Sequence, residues 1–237
     1  PEPRPRRIGA ERAAALVEIL LCSGLPTQLL LIGVLSAFGM SFQGTDGGLN
    51  PQFVFTLSLL DAVLVVGLVI VLLRAHHESV REILIGRVRV WREVLLGIWM
   101  VPAIFMVVVA VLVVIRLYVP ALHNVPRNPF EDMLQNHIDA AIFAVVVMIA
   151  GGVREEVQRA FIVHRFEQYL GGGVAGVVIW SAIFGLGHWE QGRDAAIATA
   201  LLGAIWGVLY LRRRSIIAPV ISHAGFNLTQ VLNHALR

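Results

Sequence analysis

The chain has 237 residues, of which 57% are hydrophobic and 15% charged, with a formal net charge of +3 and a mean hydropathy of +0.75. That is far more apolar than a soluble domain of this length requires, which excludes an ordinary soluble globular protein. All 19 basic residues are arginine and they flank apolar runs instead of gathering on one polar unit, which points to a membrane surface and away from nucleic acid.

A helix crosses about 30 Å of hydrocarbon with roughly 20 residues. In chain order, apolar runs near that length fall at about 14–40, 54–73, 94–118, 138–164, 174–188, 195–211 and 215–235. The expectation is an all-α, polytopic integral membrane protein with about seven transmembrane helices. Arg4, Arg6, Arg7 and Arg12 precede the first run. Arg74, Arg81, Arg87, Arg89 and Arg92 fill the second connection, and Arg212, Arg213 and Arg214 follow the sixth run. The connection 41–53 has no basic residue. The positive-inside rule then predicts a cytoplasmic N-terminus and an outward C-terminus. The apolar part of residues 1–40 is long for a signal-peptide core and lacks a clear cleavage site.

Between the second and third runs, residues 77–91 mix arginines with Ile83, Leu84, Val88, Val90 and Trp91 and predict a helix lying in the interface. The third run is the clearest, with no ionisable residue from Val94 to Ile115; Pro102 is expected to kink it. Residues 123–135, with Pro126, Pro129, Glu131 and Asp132, predict an extramembrane loop. Gly171, Gly172 and Gly173 predict the connection between the fourth and fifth spans, and Gly203 and Gly207 a close helix contact.

The last four spans carry the polar residues. Ionisable groups at membrane depth are expensive and usually functional. In the fourth, Glu155 and Arg159 are four apart on one helix face and within reach of each other, Glu156 points elsewhere, and Arg154 is able to lean back onto a carboxylate. In the fifth, Phe184 and His188 share a face, with Gly185 and Gly187 leaving room for another backbone or a substrate. In the seventh, His223 and Asn227 repeat the spacing and offer two donors of the kind a developing oxyanion needs. A base, an orienting partner and two oxyanion donors make a hydrolytic set. The chain has no Gly-x-Ser-x-Gly elbow, no His-Glu-x-x-His and no phosphate loop, and Cys22 is its one cysteine. An activated water is therefore the natural nucleophile.

Glu155-Glu156 with a nearby arginine, Phe184-x-x-x-His188, and His223-x-x-x-Asn227 resemble the three motifs of the CAAX-protease and bacteriocin-processing family of intramembrane endopeptidases. The likeness spans about residues 140–235. It implies a single membrane domain in which 1–137 supplies N-terminal transmembrane helices and the interfacial helix, and 138–237 a catalytic helical core with an intramembrane active-site cavity. It further implies Glu155 as general base on water, with Glu156 beside it, His188 holding that water, and His223 and Asn227 stabilising the oxyanion. Arg159, Phe184 and Arg154 would support them. In the family pattern three residues separate the second glutamate from the arginine, whereas here Arg159 comes one residue early and Ala160 takes its place. Following the glutamates displaces the arginine by about 100° around the helix; following the arginine puts Arg154 and Glu155 in the glutamate positions.

A zinc set of Glu155, His188 and His223 is the alternative. The metal-free reading is preferred, because Asn227 is a poor zinc ligand and a good oxyanion donor. No cofactor is expected. Expected partners are membrane lipid and a peptide or membrane-anchored protein substrate, within a membrane protein complex if the chain assembles with others. The expected location is a bacterial inner membrane. The rival function is a weakly active or inactive relative serving as a membrane interaction or immunity protein.

Overall fold

The computed structural model describes residues 8–44, 47–126, 129–130, 133–134 and 136–235. Arg4, Arg6 and Arg7, expected as cytoplasmic markers, lie outside the described residues, as do Glu131 and Asp132 of the expected loop. Among the described residues the regular structure is helical apart from one isolated bridge, Gln43 with Leu49.

The helices are α1 (Ile8–Cys22), α2 (Leu25–Ala37), α3 (Pro51–Ala75), α4 (Val80–Leu84), α5 (Val90–Tyr118), α6 (His137–Val146), α7 (Glu155–Tyr169), α8 (Gly173–Leu186), α9 (Arg193–Arg213) and α10 (Ile217–Ala235). A π-helical segment, Val147–Arg154, joins α6 to α7 without a break. Local chemistry sets several starts. The Asn50 side chain accepts from the Gln52 and Phe53 amides with Pro51 in the first turn, and the Asn136 side chain accepts from those of Ile138 and Asp139. Gly24, at φ 86°, caps α2, and α1 and α2 meet at a 41° bend.

The protein is an all-α integral membrane protein. Four helices are long and apolar enough to cross: Pro51–Ala75, Val90–Tyr118, His137–Tyr169 and Arg193–Arg213; the bent pair α1 and α2 makes a fifth if taken as one span. The seven expected spans are not reproduced on this measure. The fifth expected run is only the 14-residue α8, and α10 alternates apolar residues with Ser222, His223, Asn227 and Thr229. Apolar side chains such as Val63, Trp99 and Leu117 are at least 70% exposed, as expected of surfaces solvated by lipid. The interfacial helix expected over 77–91 is also corrected. Between α3 and α5 only Val80–Leu84 is helical, because Gly86 turns at φ 71° against the Arg214 carbonyl, a conformation that ends the helix.

The core is organised about α7, which is buried from Glu156 to Val163. Its apolar positions pack with Cys22 of α1, Val69 and Leu73 of α3, and Val177 of α8. A second cluster joins Ile104 of α5, Phe184 of α8, Leu202 and Trp206 of α9, and Phe226 of α10. It lies beside the polar residues of the motifs.

Candidate active site

The π segment, α8, α9 and α10 approach one another through glycines around the motif residues. A Cβ at Gly151 would fall 2.5 Å from Asn227 Nδ2, and one at Gly152 2.7 Å from the Ala224 Cβ. The π segment and α10 therefore lie in direct contact, bringing His223 beside the first turn of α7. A π turn admits one more residue than an α turn and so re-aims the first residues of α7. Gly185 of α8 meets the Ala196 carbonyl and Ala200 of α9, while Gly203 and Gly207 of α9 meet Phe184 and Val177. These are the close packings expected of small residues.

His223 stands between two carboxylates. Its Nδ1 donates to Glu156 Oε1 at 2.8 Å, and its Nε2 lies 3.7 Å from Glu155 Oε2. Glu156 is fully buried and forms an ion pair with Arg159 Nη1. Glu155 is half-buried and its carboxylate has no hydrogen bond within 3.5 Å among the described residues. The His223 ring is stacked on Trp206, centroids 3.7 Å apart and planes at 17°. Trp206 Nε1 in turn donates to Ser222 Oγ at 2.9 Å. The imidazole is thus gripped on its face and at one nitrogen.

Phe184 closes another side, edge-on to His223 at 6.2 Å and to His188 at 4.9 Å. His188 Nδ1 donates to the Phe184 carbonyl at 2.9 Å, which leaves Nε2 as the acceptor nitrogen of the neutral ring. The Arg159 guanidinium lies over the Phe184 ring at 4.8 Å and the Trp206 ring at 5.6 Å, cation–π contacts that help hold a cation buried away from water.

The structure brings together Glu155, Glu156, Arg159, Phe184 and His223, with His188 against Phe184. Asn227 is one turn beyond His223, its Nδ2 3.5 Å from the Val147 carbonyl of the π segment. Two pairings differ from expectation. Arg159 binds Glu156, three residues away, and not Glu155, four away; both spacings share a helix face, and the His223 contact adds to the pull on Glu156. Arg154 turns from the glutamates to Asp61 of α3, Nη2 to Oδ2 at 2.6 Å. The alternative zinc set of Glu155, His188 and His223 is not drawn together: among the described residues no group of three His, Cys, Asp or Glu side chains is placed to hold a metal ion, and His223 Nδ1 is engaged by Glu156. Asp61, Trp206 and Ser222 were not among the expected residues. Asp61 had a signal, an acid inside the apolar run 54–73; the two others had none.

Residues 137–229 match the family model described as Type II CAAX prenyl endopeptidase Rce1-like. The resemblance of the three motifs to the CAAX-protease and bacteriocin-processing family is therefore shown over that segment. The family that this description names is one of endopeptidases. No curated protein and no solved structure matches the chain.

Proposed function

We propose that this protein is an intramembrane endopeptidase in which Glu155 is the general base on a water molecule. The observation that carries the reading is the unequal environment of the two glutamates. Glu156 is held by Arg159 and His223, whereas Glu155 faces His223 Nε2 with its oxygens otherwise unengaged. A fixed carboxylate orients and a free one accepts protons.

In this mechanism Glu155 takes a proton from water while the oxygen attacks the scissile carbonyl carbon. The carbonyl electron pair moves to oxygen. The Asn227 carboxamide and the Nε2–H of a doubly protonated His223, whose Nδ1–H is held by Glu156 and whose ring is stacked on Trp206, stabilise that oxyanion. His188 Nε2 accepts from the water and holds it in line. When the intermediate collapses, Glu155 returns the proton to the departing amine, leaving a free acid and a free amine. No metal or cofactor takes part.

The description of the matched family supports a prenylated C-terminal peptide or membrane-anchored segment as substrate, presented from lipid. Arginine placement supports an N-terminus in the cytoplasm, and the family resemblance a bacterial inner membrane. The rival reading, an inactive interaction or immunity protein, drew on the displaced arginine. Pairing of Arg159 with Glu156 weakens that ground.

The test is cleavage of a fluorogenic farnesylated peptide by the purified protein in liposomes, with Glu155→Gln and His188→Ala alongside and a chelator in parallel. Glu155→Gln is expected to lose at least about 100-fold in kcat, with wild type unaffected by chelation. Cleavage by Glu155→Gln at the wild-type rate overturns the assignment of the base, and zinc-reversible inhibition by the chelator overturns the metal-free mechanism.

A further inference from the structure

Arg154 immediately precedes the proposed base, yet its guanidinium is drawn to the N-terminal helices. The Asp61 carboxylate that receives it also accepts from Thr27 Oγ1 at 2.5 Å and from Gln28 Nε2 at 3.4 Å. Asp61 is 3% exposed and Arg154 8%. Gly24 completes the enclosure: a Cβ there would fall on Arg154 Nη2. The bend between α1 and α2 is thus shaped around this guanidinium. Gly24, Thr27, Gln28 and Asp61 all precede the segment 137–229 that matches the family model.

A buried cation deprived of its counter-ion seeks the next carboxylate. Beside Arg154 two exist. Glu156 is taken by Arg159 and His223, which leaves Glu155, adjacent in the chain and without a hydrogen bond among the described residues. Glu155 is otherwise faced by His223 of α10 and, on its own helix, by Arg159 and Glu156.

We propose that Asp61 is a positioning residue: it holds Arg154 in the α1–α2 bend and so keeps that guanidinium from capturing Glu155. This rests on the protease reading, in which a free Glu155 carboxylate is required. The N-terminal helices then do more than anchor the protein, since they remove a competing charge from the base.

The experiment compares Asp61→Asn, Arg154→Gln, the double variant and Asp61→Glu, all in liposomes with the farnesylated peptide. Asp61→Asn is expected to lower kcat at least about tenfold with KM within about twofold. Asp61→Glu keeps the charge and is expected to recover most of that loss. The double variant, with no guanidinium left to swing, is expected within about threefold of Arg154→Gln alone. A double variant as impaired as Asp61→Asn overturns the proposal, because with no guanidinium left to capture Glu155 the loss would have another cause. Infrared difference spectra between each background and the same background with Glu155→Gln read the Glu155 carboxylate whether or not anything is cleaved. Its band is expected to shift in Asp61→Asn and revert in the double variant; an unmoved band overturns the proposal. A band that shifts and reverts in protein that cleaves nothing sinks the protease reading and leaves Asp61's control of Glu155 standing.

Discussion

At the scale of single residues, the site separates two adjacent glutamates by what each touches. Glu156 and Arg159 are both about 1% exposed, so removing one partner strands the other. Glu156→Gln is expected to destabilise the protein by about 3–5 kcal/mol, while Glu155→Gln is expected to change stability by less than about 1 kcal/mol. Unfolding in detergent, followed for both variants, checks the contrast; equal losses would erase the proposed division of roles. Trp206→Leu removes the surface on which His223 stacks and frees Ser222 Oγ, so kcat should fall about tenfold or more with little change in KM. The acids and imidazoles were legible from sequence because ionisable residues are rare inside apolar runs. Their partners were not: spacings of three and four residues share a face, and the contact that favoured Glu156 comes from His223, distant in the chain.

At the scale of elements, the contact between the π segment and α10 sets the distance between Glu155 and the side chains of His223 and Asn227. Gly151→Val places a side chain where Asn227 Nδ2 lies. It should cost about 1–3 kcal/mol of stability and lower cleavage beyond what the lost stability explains, measured by unfolding in detergent beside peptide turnover at a temperature where the variant is fully folded. Long uniform runs such as α3 and α5 were readable because hydropathy alone specifies them. The short α8 and the mixed α10, expected as spans, are not among the helices long and apolar enough to cross. The polarity of α10 is answered by neighbouring elements, at His223 by Glu156 and at Asn227 by the Val147 carbonyl, which hydropathy does not register, while α8 is apolar but only 14 residues long.

At the scale of the whole molecule, a polar network at one end ties the N-terminal helices to α7. Arg165, fully buried, donates through Nε to Glu18 of α1 at 2.5 Å and through Nη1 to Glu78, between α3 and α4, at 2.6 Å. His76 meets Glu18 at 2.5 Å and His164 meets Glu78 at 2.9 Å. Burial by itself pushes the Glu78 carboxyl up, but hydrogen bonds from Arg165, His164 and Gln168 outweigh it and hold the group below the usual carboxylate range. A depressed value means that Glu78 contributes stability above its unfolded value, about 4.3, and loses it as pH falls through the folded one. The melting temperature should therefore fall with acidification below about pH 5, and Glu78→Gln should flatten that slope while lowering the melting temperature at neutral pH. An identical slope in variant and wild type would remove Glu78 from the account.

Composition and hydropathy by themselves determined the membrane and the helical class, because the cost of burying unpaired backbone in lipid leaves few alternatives. Motif spacing singled out the candidate site residues, since Glu155, His188 and His223 stand out against apolar surroundings wherever the helices go. Only the tertiary structure decided how they are partnered: that Arg159 reaches Glu156, that Arg154 leaves for Asp61, and that Trp206 grips His223. Those choices depend on which helices touch, and charges in a low-dielectric interior pair with whatever the packing brings within a few ångströms.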